Sequence, residues 1–333
     1  MSADVSTVAV IGSGVVGRRV ARQLAASGLV DRLILGSRRP QRMHGFVRQL
    51  MDVDIEVIAP GPLPTADVTV LAQPPGGHTE LAEEALGNGS HVVSLSDALN
   101  DVEGLLKLEE LAAKADRSVI VGAAFSPGLS CLLARHGAKQ FDRVDEVHVA
   151  RMGTGGPSCQ RQLHHARTQE AVEWRNSGWV KRPSGTGREL VWFPDPLGAS
   201  DCYRAALVDP LLLSASFPEA DRITAKVAAT RRDRLTAWLP MMRRPHKDGG
   251  PGAVRIEIRG IQDSVQTTEV LGAIDHPSSV AGAVSAIAAE WSLLGVLPPG
   301  AWSLGMLDNP LPWLQELENR GISAAVYEGI SGT

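Results

Sequence analysis

The run Val8-Ala9-Val10-Ile11-Gly12-Ser13-Gly14-Val15-Val16-Gly17-Arg18-Arg19 constrains this chain more than any other stretch. Four apolar residues read as a buried parallel strand, and the glycines follow at once. A helical pattern then begins, with Val20 and Leu24 four apart and Ala21 and Ala25 beside them. Strand, Gly-x-Gly-x-x-Gly and helix in that order suit the pyrophosphate of a dinucleotide. Gly12 permits the tight turn out of the strand. Gly14 lets the backbone approach the phosphates. Gly17 lets the helix pack against the strand. Ser13, Val15 and Val16 complete the turn, whose helix N-terminus offers unpaired N–H groups to the anion. A strand–helix turn without a ligand would have no use for the middle glycine.

The end of the second strand selects the nucleotide. Asp31–Gly36 reads as that strand, and Gly36-Ser37-Arg38-Arg39 follows. NAD-binding chains place a carboxylate here to hold the ribose 2′-hydroxyl. This chain has a hydroxyl and two guanidinium groups instead, which suit a 2′-phosphate. The expected cofactor is therefore NADP (NADPH), held by Gly12–Gly17, Ser37, Arg38 and Arg39.

Strands and helices then alternate: strands at 55–58, 67–72, 91–94 and 118–122, and helices at 41–51, 79–86, 102–115 and 129–140. This is the pattern of an α/β, Rossmann-type doubly wound parallel sheet, whose ligands gather beyond the carboxyl ends of the strands. Gln73-Pro74-Pro75, Ser94, and Phe125 with Pro127 stand at such ends and are expected to line the cofactor crevice. The length of 333 residues suits two domains. Residues 1–140 are expected to form the dinucleotide-binding domain. Residues 141–276 would form a second α+β domain with a mixed or antiparallel sheet. Residues 277–333 would be a helical segment returning to the first. Within the second domain the pattern predicts strands at 144–150 and 189–193, a helix over 221–239, and an antiparallel pair, 254–261 with 265–274.

The glycine motif, Gln73-Pro74-Pro75 and above all Phe125-Ser126-Pro127-Gly128-Leu129 resemble the saccharopine dehydrogenase family. So does the tail, Gly295-Val296-Leu297-Pro298-Pro299 through Leu317-Glu318-Asn319-Arg320-Gly321-Ile322. The resemblance covers residues 7–140 and, more loosely, 278–322. It implies an NAD(P)-dependent oxidoreductase acting at carbon–nitrogen bonds of amino acids. Residues 151–250 match no substrate domain of that family. Gln73–His78 also resembles the glucose–fructose oxidoreductase type, but the Glu-Lys-Pro motif of that group has no counterpart after Val93, where Ser94-Leu95-Ser96 follows. A non-catalytic NADP-binding regulator is the reading from a different class.

Hydride transfer at nitrogen-bearing carbon also needs groups that manage protons. His78 and Asp97, on strand-end loops, and the adjacent His164 and His165 in the second domain are the candidates. Arg231, Arg232 and Arg259 are candidates for holding substrate carboxylates, and Arg243-Arg244 extends the basic stretch. Cys159, His164 and His165 match no common zinc spacing, so no metal is expected. A net charge of −4 argues against nucleic acid or anionic lipid as partner. Three cysteines, an odd number with no C-x-x-C pair, fit a cytoplasmic protein. The first strand begins within a few residues of Met1, which leaves no room for a signal peptide, and no apolar run is long enough to span a membrane. The expected partner is a small-molecule substrate, and the expected assembly a homodimer through the second domain.

Overall fold

A computed structural model describes residues 5–241, 246–322 and 324–327. It contains two sheets. Six strands alternate with helices in the first part of the chain: β1 (Thr7–Ile11), β2 (Arg32–Gly36), β3 (Asp54–Ile58), β4 (Val68–Leu71), β5 (His91–Ser94) and β6 (Ser118–Val121). Eight follow: β7 (Arg143–Met152), β8 (Ala171–Arg175), β9 (Gly178–Arg182), β10 (Glu189–Trp192), β11 (Ala199–Arg204), β12 (Arg222–Ala228), β13 (Gly252–Gln262) and β14 (Val265–Asp275). The last are β15 (Gly300–Ser303) and β16 (Ala324–Tyr327).

The chain divides into two compact units. One runs up to Ala124 and includes Ala281–Trp302; the other comprises Phe125–Val280 and the chain from Ser303 onward. The divisions expected from pattern were 140 and 276. The chain enters the second unit at the Phe125–Leu129 turn, directly after β6 and without a linker, so composition carries no mark of the crossing.

The first sheet has the order β15-β6-β5-β4-β1-β2-β3, and the ladders from β6 to β3 are parallel. It is the doubly wound α/β sheet that the pattern required. Its inner strands are apolar on both faces: Val8, Ala9 and Val10 of β1 and Val68, Val70 and Leu71 of β4 are all buried, as in parallel sheets covered on both sides. The helix Val15–Ala26 buries Gly17, Val20, Ala21 and Leu24. The helix Pro277–Leu293 is apolar almost all round and enters this unit from Ala281. Gly282 brings it against the first helix, since a Cβ there would lie 2.6 Å from that of Arg19.

Two of the expected helices are interrupted. The expected helix 41–51 is a 3-10 turn, Pro40–Met43, followed by the short helix His44–Val47. The expected helix 102–115 is two helices, Leu99–Leu106 and Glu109–Lys114.

The second sheet has the order β10-β11-β12-β7-β13-β14-β16, with β8 and β9 attached beside β12. It is mixed: β7 and β12 run parallel and the other ladders are antiparallel. The helix Leu129–Gly137 covers one face, where a Cβ on Gly137 would come within 2.5 Å of Leu271 and 2.9 Å of Ile258. Val147, Val149, Ile223 and Val227 are buried on that same face. The other face is apolar toward the end of β7, where Ala150, Cys202 and Ala253 are buried with Val191 and Phe193, and polar toward its start. His148 shares hydrogen bonds with Thr224 and Glu146, and Arg259 pairs with Glu257 and Glu146.

One expected element is overturned. Residues 221–239 do not form one helix: Arg222–Ala228 is β12 and only Arg231–Leu235 is helical. Ile223, Ala225 and Val227 alternate, and strand period prevails because this segment fills the centre of a sheet. Among the described residues no helix is long and apolar enough to cross a membrane.

The β13–β14 turn holds Asp263 and Ser264 at φ +49° and +66°. Such turns favour Asn-Gly. Asp263→Asn combined with Ser264→Gly is expected to raise stability by about 0.5–1 kcal/mol. It should read as a higher urea midpoint with an unchanged slope.

Candidate functional site

Each glycine of the motif has its own geometry. Gly12, at φ +124°, abuts the backbone of Ala72 and Gln73, each 2.5 Å from where a Cβ would be. Gly17 lies against the Gly12 carbonyl oxygen, 1.8 Å from its would-be Cβ. Gly14 has no protein atom within 4 Å of that position and is exposed. The outer two glycines therefore serve the fold, and the middle one borders open space. The helix beginning at Val15 has no side-chain cap and no acidic residue in its first turn. Its first N–H groups, those of Val15 and Val16 among them, lack intrahelical acceptors. These are the properties of an anion site.

Beside this turn, Ser37 is buried at the end of β2. Its Oγ accepts from Ser13 Oγ at 2.7 Å and from Arg39 N at 3.2 Å, so its own proton remains to be donated. Arg38 and Arg39 are exposed, and their guanidinium groups make no hydrogen bond or ion pair among the described residues. Arg18 is committed to the Ser13 carbonyl and to the ring of Phe46.

Gln73 follows β4, and both polar atoms of its amide are buried without a protein partner. Orphaned buried amides are costly and call for a ligand or water. Pro74 and Pro75 carry the chain into Gly76 and Gly77, both at positive φ. A buried polar lattice fastens this loop. Asp101 Oδ2 accepts from Gly76 N at 2.8 Å and from Ser96 Oγ at 2.6 Å. Ser94 Oγ accepts from Ser96 N and shares a 3.0 Å hydrogen bond with His78 Nδ1. The loops after β4 and β5 are thus tied to each other. The open glycine, the bare helix start, the Ser37 hydroxyl and the orphaned Gln73 amide fit a bound dinucleotide.

His78 is 0% exposed. Burial pulls its pKa below the ordinary 6.5, against the nearby Asp101 carboxylate, the Gln73 and Pro74 carbonyls and Asp97. Asp97 is half-buried in the loop before the helix Leu99–Leu106; the cap of that helix is Ala98. His164 and His165 lie on the helix Pro157–Ala166, and successive helix positions point apart. His164 Nε2 donates to the Leu239 carbonyl at 2.8 Å, whereas His165 is exposed and meets Gln169.

Arg231 and Arg232 are exposed on the first turn of the helix Arg231–Leu235. Arg259 is held by Glu257 and Glu146. Arg243 and Arg244 lie outside the described residues. Phe125 is buried at the start of the second unit, and the cis peptide Ser126–Pro127 follows. There Ser126 Oγ donates to Asp209, which is 1% exposed and also accepts from Ser130 Oγ; Arg151 donates to the Ser126 carbonyl. Sequence reading passed over Arg151, Asp209 and Asp101. For Arg151 a signal existed: it continues the buried phase Val147, Val149 of an alternating strand, where a charge is out of place.

Two outcomes test this geometry. Gly17→Ala is expected to cost at least about 3 kcal/mol by forcing helix from strand. Gly14→Ala should stay within about 0.5 kcal/mol of the parent and yet bind a nicotinamide dinucleotide at least about tenfold more weakly. Thermal melts and fluorescence titration separate the two. For His78 the folded pKa is depressed, so its stability contribution is present above about pH 6.5 and is lost as pH falls toward the folded value. His78→Gln should therefore flatten the acid-side fall in Tm; an unchanged fall would show that the folded ring takes up its proton freely.

Residues 7–98 match the family described as NADP oxidoreductase, coenzyme F420-dependent. The chain is similar to apo saccharopine dehydrogenase (L-Glu forming) from Saccharomyces cerevisiae, with a TM-score of 0.71 and 15% identity over 97% of this chain and 100% of that one. It is also similar to DAP dehydrogenase from C. glutamicum, with a TM-score of 0.50 and 13% identity over 95% and 98% of the two chains. At these identities the likeness is one of fold. The chain thus shares the fold of saccharopine dehydrogenase, and its residues 7–98 are similar to those of an NADP oxidoreductase family.

Proposed function

We propose that this protein is an NADP-dependent oxidoreductase acting at a carbon–nitrogen bond of a small amino-acid-like substrate. The observation that carries the cofactor is the end of β2. A buried hydroxyl with a proton to donate stands beside two uncommitted guanidinium groups, with no carboxylate to repel a 2′-phosphate. The Gly12–Gly17 turn would hold the pyrophosphate, and the Gln73 amide is the orphaned polar group beside it. A reduced nicotinamide, when bound, supplies a hydride. The residues of this chain orient it, exclude water and handle protons. Asp97, half-buried at the end of β5, is the group we assign to proton handling; His78 positions the neighbouring loop through Ser94. The substrate class is supported by the shared fold with saccharopine dehydrogenase and by the Phe125–Leu129 turn.

The test is NADPH oxidation followed optically with 2-oxo acids plus ammonia or amino acids, and NADP reduction with amino acids alone. Turnover in either direction supports the reading. Turnover confined to polyols, or tight NADPH binding with no turnover across the panel, would overturn it. Arg38→Ala combined with Arg39→Ala is expected to weaken NADPH about 10–100-fold, as for lost charge-assisted hydrogen bonds, and NADH by less than about threefold. Equal loss of both would show that these residues do not read the 2′-phosphate.

A further inference from the structure

β10 closes one end of the second sheet. It pairs with β11 along one edge, and no other strand pairs with it among the described residues. The ladder decides which backbone groups are left over. Phe193 N donates to the Gly198 carbonyl at 3.0 Å, closing the turn into β11. Asp201, the register partner of Leu190, turns its carbonyl to Ala229 N instead, away from β10. Backbone groups of a strand alternate between its two edges. Val191 therefore directs its N–H and C=O toward β11, while those of Leu190 and Trp192 point outward from the sheet.

Side chains alternate as well, between the two faces. Val191 is buried in the cluster with Ala150, Phe193, Cys202 and Ala253. Leu190 and Trp192 stand on the opposite face, that of Asp201 and Tyr203, and are 58% and 69% exposed. The helix Arg231–Leu235 borders this surface through Arg234, which lies over the Tyr203 ring at 5.1 Å; Leu235 and Trp238 are 66% and 76% exposed. The residues with bare apolar side chains are thus the ones with outward-facing backbone groups. Scattered apolar residues are ordinary on a surface. An apolar edge strand is not, because edges are usually blunted by charge, proline or cover. Within Glu189–Trp192 there is no proline, and the charge of Glu189 is taken by Lys226; Arg188, just before the strand, is paired with Asp201 at 2.9 Å.

This edge is complementary to itself. When two copies of β10 run antiparallel about a twofold axis at Val191, Leu190 stands opposite the partner's Trp192, and Trp192 opposite the partner's Leu190. Opposed residues of antiparallel strands share a face, so the apolar side chains meet. Their backbone groups point at one another, so each pair exchanges N–H···O=C bonds in both directions. A slip by one residue would set outward groups against inward ones and split the faces. A slip that centres the axis on Trp192 would set Leu190 opposite the partner's Pro194, which has no N–H to give.

We propose that this chain forms a twofold homodimer in which β10 of each copy pairs antiparallel with the other about Val191, joining the second sheets of the two copies into one. An isologous contact of this kind closes on itself. The interface is short, so the dimer belongs to the transient class, with a Kd on the order of 10–100 µM. It does not depend on the oxidoreductase reading.

The experiment is sedimentation equilibrium of the full chain from about 1 to 500 µM, with amide hydrogen exchange measured at both ends of that range. The expected result is monomer at the low end and dimer at the high end. The Leu190 and Trp192 amides should exchange at least about tenfold more slowly in the dimer. Trp192→Lys places a charge on the edge, and Leu190→Pro removes an outward N–H that β11 does not use. Each should weaken the dimer at least about tenfold while keeping Tm within about 3 °C of the parent. Should Leu190→Pro melt lower than that, Trp192→Lys carries the test, since its side chain is exposed. Monomer at every concentration, a dimer without protection of the Leu190 and Trp192 amides, or an undiminished dimer in Trp192→Lys would each overturn the proposal.

Discussion

The Gly12 carbonyl sits where a side chain on residue 17 would begin. That contact is available only to glycine, and the rest of the nucleotide-binding unit depends on it. It sets the first helix hard against β1, so the N–H groups of its first turn open at the carboxyl end of the sheet. Gly12 in turn touches Ala72 and Gln73, which brings the end of β4 to the same place. One steric requirement thus gathers the helix start, the end of β1 and the loop after β4 within a few ångströms.

Polar groups then fix what the close approach has gathered. Asp101 is buried, and hydrogen bonds to Gly76 N and Ser96 Oγ satisfy it. Ser94 and His78 extend the lattice. Such a network is stabilising only when its members are satisfied, and then it allows one arrangement of the loops. Two groups beside it stay unpartnered, the Gln73 amide and the Nε2 of His78. The second unit shows the same contrast. Asp209 takes two hydroxyls, and Arg259 is shared between two glutamates, whereas Arg167 keeps a buried N–H without an acceptor. Groups left unpaired among well-paired neighbours are where a ligand has something to supply.

Much of the first unit is legible in the chain. β1, β2, β4, β5 and β6 are runs of apolar residues punctuated by glycine, proline or a polar turn, and β5 falls on the residues that pattern assigns to it. Its helices are less clear at their ends, as the broken segments around 40–47 and 99–114 show, because end positions turn on caps and packing. The second unit is harder. Ile223 and Val227 are four apart and suggest a helix, yet Ala225 between them completes a strand pattern just as well. Only the neighbours β7 and β11 decide, by offering ladders on both sides. Adjacent histidines at 164 and 165 look like a pair in sequence; a helix turns them apart, one toward Leu239 and one to solvent.

The sequence by itself determined the strand–glycine–helix unit, the parallel sheet that follows from alternating elements, and the cationic turn after β2. These are local: they depend on φ angles, side-chain volume and residues within a few positions of one another. Tertiary structure decided which polar residues are satisfied and which are not. Asp101 meets Gly76 across 25 residues, Ser126 meets Asp209 across 83, and Arg167 meets the end of β12 across 61. Hydrogen bonding and burial are properties of neighbours in space, so the unaccepted Nε of Arg167 and the orphaned amide of Gln73 become visible only once the chain is folded.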